Sequence, residues 1–189
     1  MAEHLKEQIK PLKGIDPWFA GTRQIARSLQ ENGFHIKTAS QNHLFPAHFQ
    51  IDTAAYKDKK LGHFDYVITS PPFAFIDIIA PLFAKRYEAT FLHVPSWYLF
   101  QGSTARRRWI ERLIKTERMI VLHINPERNQ DSQRFAVWVC IFRTKSMANK
   151  YLKNTTKLRN KALQVYFTSW TKSQGAQQLQ GREIRMLNM

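Results

Sequence analysis

Cysteine is almost missing from this chain. Cys140 is the only one, so no intrachain disulfide can form, and its place inside the apolar run FAVWVCIF reads as a small buried hydrophobe rather than a reactive thiol. Carboxylates are scarce as well: 14 Asp+Glu stand against 29 Lys+Arg, a net charge of +15. Such an excess raises the local concentration of polyanions, nucleic acid first among them, although a solvated basic surface or a membrane-surface role would carry the same charge. Long hydrophobic runs are missing too. The longest greasy stretch, PPFAFIDIIAPLFA, is interrupted by Asp77 and prolines and is too short to span a bilayer. The opening MAEHLKEQIK is charged and helix-like, not a secretory signal. The expectation is a soluble, intracellular protein with no membrane partner. The seven histidines are scattered. His43 and His48 are the nearest pair, and no cysteine or carboxylate cluster joins them, so no metal site is expected. His93 and His123 sit inside apolar strands and read as core residues. There is no phosphate-binding P-loop, no nucleophile elbow with Ser-His-Asp order, and no internal repeat.

What is present suits one packed domain: 189 residues, 43% hydrophobic and 13% aromatic. Residues 2–10 could form a short polar helix that ends at Pro11. LKGID is a brief apolar segment, PWFAG a turn, and TRQIARSLQENG a helix with Ile25, Ala26 and Leu29 on one face and Gly33 as its stop. FHIK is a candidate strand, and a further short element is expected around residues 48–56. FDYVITS is the clearest strand, β-branched and apolar on both faces, as a central parallel strand should be. A helix from about Phe75 to Lys85, the strand ATFLHVP, and a helix STARRRWIERLIKTER capped by Ser103 follow, the last with Trp109, Ile110, Leu113 and Ile114 on one face. MIVLHIN and RFAVWVCIF close the series as strands joined without a helix, an antiparallel terminal pair. Strands alternating with helices predict an α/β sheet covered on both faces.

After Phe142 the character changes. Residues 143–189 hold ten basic side chains, Lys153, Lys157, Arg159 and Lys161 among them, against Glu183 alone, with Tyr151, Tyr166, Phe167 and Trp170 interspersed. Such a segment can track phosphates while its rings stack on bases, or it can pack LQVYFTSW onto the sheet with its charges merely wet. The chain therefore divides into an α/β domain, 1–142, and a basic C-terminal extension, 143–189, packed on the domain or partly flexible. The run Arg106-Arg107-Arg108 could also grip phosphate, though on a helix the three point in different directions.

The end of the clearest strand carries the sharpest chemistry. Thr69-Ser70-Pro71-Pro72-Phe73 replaces an apolar run with a hydroxyl, two prolines and a ring, at the carboxyl end of a strand, where open α/β sheets bind ligands. An exocyclic base amine is a poor nucleophile because its lone pair is delocalised into the ring. Acceptors that hold both amine protons, here the Ser70 hydroxyl and the Pro71 carbonyl, favour a pyramidal nitrogen with a freer lone pair. The prolines fix those acceptors, and Phe73 can stack on the base.

At these residues the chain resembles the S-adenosylmethionine-dependent amino-methyltransferases, in which an Asp/Asn/Ser-Pro-Pro-Tyr/Phe/Trp motif ends the fourth strand. The resemblance runs back through GIDPWFAGTRQIARSLQENGFHI, similar to the family's cofactor loop, and forward through FLHVPSWYLF and the terminal strand pair, as in compact phage-type DNA adenine methyltransferases. It implies a class I methyltransferase (Rossmann-like) fold, a mostly parallel sheet with an antiparallel terminal strand pair. It also implies methyl transfer from S-adenosylmethionine to the exocyclic amine of adenine or cytosine, in DNA first and RNA second. Ser70, Pro71, Pro72 and Phe73 would hold the amine. Asp16, Phe19, Ala20 and Gly21 would approach the methionine part of the cofactor, and Asp52 its adenine. Arg106, Arg107, Arg108, Lys153, Lys157, Arg159 and Lys161 would meet the nucleic-acid backbone. Two departures stand beside these matches. Thr22 and Arg23 replace the loop's second glycine, and FHIKTASQN offers no acidic residue at the end of the second strand for the ribose. They keep open a catalytically inactive, methyltransferase-like nucleic-acid-binding protein, or a subunit of a larger complex completed by a partner.

Overall fold

The structure is a computed structural model that describes residues 12–17, 24–40, 47–50, 63–124, 136–157 and 163–166. The expected N-terminal helix at 2–10 lies outside them. Among the described residues eight strands form one sheet in the order β3-β2-β1-β4-β5-β7-β6-β8. In chain order the elements are β1 (Lys13–Asp16), α1 (Gln24–Glu31), β2 (His35–Ser40), β3 (Phe49–Gln50), β4 (Tyr66–Thr69), α2 (Ile76–Arg86), β5 (Ala89–Pro95), α3 (Trp97–Phe100), α4 (Thr104–Lys115), β6 (Met119–Ile124), β7 (Ala136–Phe142), α5 (Lys145–Lys157) and β8 (Leu163–Tyr166). A 3-10 turn, Phe73–Phe75, leads into α2.

The pairs β3–β2, β2–β1, β1–β4 and β4–β5 are parallel. β7 runs antiparallel between β5 and β6, and β8 antiparallel on β6. The sheet is thus the mixed, helix-flanked arrangement of a Rossmann-like class I methyltransferase fold. β4 sits at its centre because all four of its residues are buried, which suits a strand flanked on both sides and covered on both faces.

The alternation along β4 divides the core. Val67 faces a cluster with Ile76, Ile79 and Phe83 of α2 and Ile110 and Leu113 of α4. Tyr66 and Ile68 face the other way, toward Ala26 and Leu29 of α1 and Ala148 and Tyr151 of α5. Each fully buried Ile or Phe there contributes roughly 1.5–3 kcal/mol of transfer free energy. Cys140 belongs to the second layer and is fully buried, and that burial pushes its thiol well above the ordinary range.

Local chemistry sets the helix ends. Gly33 adopts φ 80°, a left-handed position that costs glycine nothing, and Phe34 N–H closes the turn on the Leu29 carbonyl at 3.0 Å. Ser103 caps α4 through its Oγ, which accepts from the Arg106 backbone N–H at 3.2 Å, a device worth about 1 kcal/mol. Two elements differ from the sequence reading. The helix after Phe73 begins as a 3-10 turn, and α3, only four residues long, was not expected. Within residues 143–189, α5 sends Tyr151 into the core at 1% exposure and β8 extends the sheet.

Candidate active site

Connectivity creates a crevice before any side chain is considered. From β1 the chain moves outward to β2 and β3, then returns to β4 on the other side of β1. That reversal is a topological switch point, where the carboxyl ends of adjacent parallel strands diverge and open a ligand site. Asp16 ends β1 and Thr69 ends β4, so Asp16 and Ser70 stand at the same edge of neighbouring strands.

Asp16 is 4% exposed, and Pro17 beside it is buried. Phe19, Ala20 and Gly21, expected to continue this loop, lie outside the described residues, as does Asp52. β2 ends in Thr38, Ala39 and Ser40, all buried. Thr38 N–H bonds His48 Nδ1 at 3.1 Å, which ties β2 to the start of β3.

At the end of β4, Ser70 Oγ donates to the backbone carbonyl of His93 at 3.3 Å. Because the hydroxyl proton is used there, the oxygen lone pairs are left pointing elsewhere as acceptors, which is the state a base amine needs. Pro71 is buried and Pro72 exposed. Pro72 then lends its carbonyl to Phe75 N–H at 3.0 Å, closing the 3-10 turn. Phe73 is left 57% exposed, its ring edge-to-face with Trp97 at 5.9 Å between centroids. Phe75, Ile78, Trp97 and Phe100, from the segments that follow β4 and β5, are exposed as well, so the rim beyond these strands is aromatic and apolar.

Arg106 locks this rim. Its Nε and Nη2 donate to the two Asp77 oxygens at 2.5 and 2.8 Å, and Nη1 to the Gln101 carbonyl at 2.6 Å. The guanidinium also lies 4.6 Å from the centre of the Tyr98 ring. The Asp77 hydrogen bond, chiefly, raises the Arg106 pKa. Asp77 lies in the first turn of α2, so this fork joins the segment after Phe73 to the α3–α4 connection. Of the arginine run, Arg106 is thereby engaged internally, while Arg107 and Arg108 are exposed. Lys153 and Lys157 lie on α5; Arg159 and Lys161 fall outside the described residues. Among the described residues no group of three or more His, Cys, Asp or Glu could hold a metal ion. No helix among them is long and apolar enough to cross a membrane.

Sequence reasoning missed three parts of this site. The His93 carbonyl is backbone, which no side-chain motif announces. Trp97 sits in a helix too short for periodicity. Asp77 and Arg106 are 29 positions apart, beyond any helical spacing.

The His93 side chain adds a pH prediction. Its ring packs on Trp138 with centroids 5.0 Å apart, and burial lowers its pKa from the ordinary 6.5. The folded state therefore stays unprotonated at pH values where the unfolded chain already binds a proton. Unfolding takes up protons below about pH 6.5, so stability falls as pH drops through that value toward the folded pKa and is fully present above it. The melting temperature should decline between about pH 7 and 5.5, with a shallower slope in His93→Gln. Identical slopes from scanning calorimetry would remove His93 as the source.

No protein-family model matches this chain, and no curated protein does. Among solved structures, the methyltransferase subunit of a type I restriction-modification system from Streptococcus thermophilus is similar at TM-score 0.50 and 11% identity. That match covers 87% of this chain and 53% of the other, so the chain spans about half of that subunit. The methyltransferase domain of bacterial CtHen1-C is similar at TM-score 0.48 and 13% identity, over 76% of this chain and 94% of that domain. At such identity the restriction-modification subunit speaks for the fold alone.

Proposed function

We propose that the protein transfers a methyl group from S-adenosylmethionine to the exocyclic amine of a base in nucleic acid, DNA first. One observation carries this reading. Ser70 spends its hydroxyl proton on the His93 carbonyl at 3.3 Å and so presents an acceptor, between a buried proline and an exposed ring, at the edge where Asp16 also stands. A Ser70 that donated outward would repel the hydrogen-bearing face of an amine.

The residues present fit the cofactor in part. A buried carboxylate at the end of β1 suits the positive amino group and sulfonium of S-adenosylmethionine. No carboxylate ends β2 to meet the ribose hydroxyls, and Asp52 would serve the adenine. When bound, the cofactor supplies an electrophilic methyl. The chain's own work is to position the amine. Ser70 Oγ and the Pro71 carbonyl accept its protons, Phe73 stacks on the base, and the Arg106–Asp77 fork holds the aromatic rim in place. The amine would gain the methyl as the methyl's bond to the sulfonium sulfur breaks, leaving the neutral thioether, and one proton would go to solvent. A base in a duplex would have to leave the stack to reach Phe73. Arg107, Arg108, Lys153, Lys157, Arg159 and Lys161 would supply salt-sensitive affinity for phosphates, indifferent to sequence.

The altered end of β2 favours a second reading, a nucleic-acid-binding protein of this fold without catalysis. Calorimetric titration with S-adenosylmethionine and S-adenosylhomocysteine separates the two. The first reading expects binding in the micromolar range, weakened about tenfold or more by Asp16→Ala, since each lost charge-assisted contact is worth that much. No heat from folded protein that still binds an oligonucleotide would support the second.

A further inference from the structure

A pocket of about 350 Å³ opens at the sheet edge opposite Ser70. Topology fixes that location. Arg118 immediately precedes β6 and Arg143 immediately follows β7, and the last turns of α2 and α4 end beside them. Lys85, Arg112, Arg118 and Arg143 line the pocket, with Trp109 and Leu113 as part of its apolar wall, and no carboxylate lines it.

Basic residues in the last turn of a helix complement its dipole, which accounts for Lys85 and Arg112 taken singly. It does not account for two further arginines from β6 and β7 converging on the same space. Four like charges around one cavity repel one another, and an anion relieves that repulsion. Several backbone carbonyls at these helix and strand ends are hydrogen-bonded. Arg118 Nε donates to the Phe142 carbonyl at 2.7 Å, and Arg143 Nη2 to the Lys85 and Arg86 carbonyls at 3.3 and 3.4 Å. Thr116 Oγ1 donates to the Arg112 and Leu113 carbonyls at 2.8 and 3.2 Å. These bonds also fix the two arginines, leaving the exposed Lys85 and Arg112 to close on a ligand. The neighbouring carboxylate Glu117 is paired with Lys145 at 2.6 Å.

We infer that this pocket is a second binding site, for a phosphate group, with Trp109 offering its apolar wall to whatever carries the phosphate. The ligand is a nucleoside phosphate, either free or at a position along a strand. The site does not depend on methyl transfer, because it lies at the other edge of the sheet.

The test is calorimetric titration at low salt with inorganic phosphate, adenosine monophosphate and a short single-stranded oligonucleotide. The proteins are wild type, Lys85→Ala/Arg112→Ala, and the control Arg27→Ala/Lys37→Ala, which removes two exposed cations elsewhere on the domain. The pocket variant should lose about tenfold or more in affinity for the phosphate probe while the control keeps it. A loss confined to the oligonucleotide, with a salt slope shallower by roughly one to two, assigns the phosphate to a strand. A loss seen with adenosine monophosphate assigns it to a free nucleotide. Binding weakened equally by the control, unchanged in the pocket variant, or absent for every probe overturns the site. All three proteins should stay folded and melt at similar temperatures, since the four substituted side chains are exposed and the lost helix-end charges contribute only modestly.

Discussion

Replacing Ser70 and Phe73 together by alanine is expected to reduce methyl transfer by about three orders of magnitude while leaving the fold intact. The two residues contribute in different ways. Removing one preorganised polar contact from a reacting centre typically costs about 10²–10³ in rate. Losing the aromatic platform costs roughly 1–3 kcal/mol per base, or about 5- to 150-fold. In the proposed function Ser70 and Phe73 would act on the same amine, so the double loss should fall below the product of the single losses. Stability should scarcely change. Phe73 is 57% exposed, and the Ser70 hydrogen bond is long at 3.3 Å and only partly buried, so the melting temperature should stay within about 2 °C of wild type. On the proposed reading S-adenosylmethionine affinity should also survive, because both residues follow β4 while Asp16, the proposed cofactor contact, ends β1. Transfer at the wild-type rate by the double variant would sink the site assignment. A rate loss accompanied by a large drop in melting temperature would show that the corner is structural.

Much of the sheet is legible in the residues, for specific reasons. YVIT is apolar at every position, and a strand buried on both faces in a parallel sheet must be. ATFLHVP coincides with β5 residue for residue, a short apolar run that carries the β-branched Thr90 and Val94 and ends at Pro95. The antiparallel terminal pair followed from two apolar runs with no helical pattern between them. What stayed hidden was set by distant contacts or by backbone. The fork between Asp77 and Arg106 depends on α2 and α4 packing side by side. As a sequence, Arg106-Arg107-Arg108 is a uniform basic run; in the fold, one member is internal and two face solvent. β8 is short and lies in a basic, polar context, so its pairing with β6 rests on the sheet edge being open rather than on its own pattern. Asp16 is a candidate by resemblance alone, and its place at the switch point follows from the strand order. The pocket beneath α2 and α4 left no trace in the sequence, since its four cations come from four separate segments.

Gly14→Ala is expected to destabilise the fold severely, and two opposed effects decide the sign. Within a strand, alanine is favoured over glycine by roughly 0.5–1 kcal/mol through unfolded-state entropy. Against that, a Cβ built on Gly14 would land on the Tyr66 ring, against its Cζ, Cε2 and hydroxyl oxygen. Gly14 and Tyr66 are register partners in adjacent strands, so neither can withdraw along the sheet. Tyr66 is fully buried and packs edge-to-face on Phe91 at 6.3 Å, which leaves the ring no vacant direction. Overpacking in a close-packed core costs about 1–3 kcal/mol and more where the neighbour is rigid. The clash therefore wins, with a net loss of roughly 2–3 kcal/mol. For a chain of this size that corresponds to a fall of about 4–12 °C in melting temperature. Because Gly14 lies two residues before Asp16, a displaced β1 should also weaken S-adenosylmethionine binding, an effect that Tyr66→Leu in the same chain should partly reverse by making room for the methyl. The double variant should then be more stable than the sum of the two single losses predicts, a coupling expected only of residues in contact. Strict additivity, or a Gly14→Ala protein that melts like wild type, would mean that the Tyr66 ring is not held against β1.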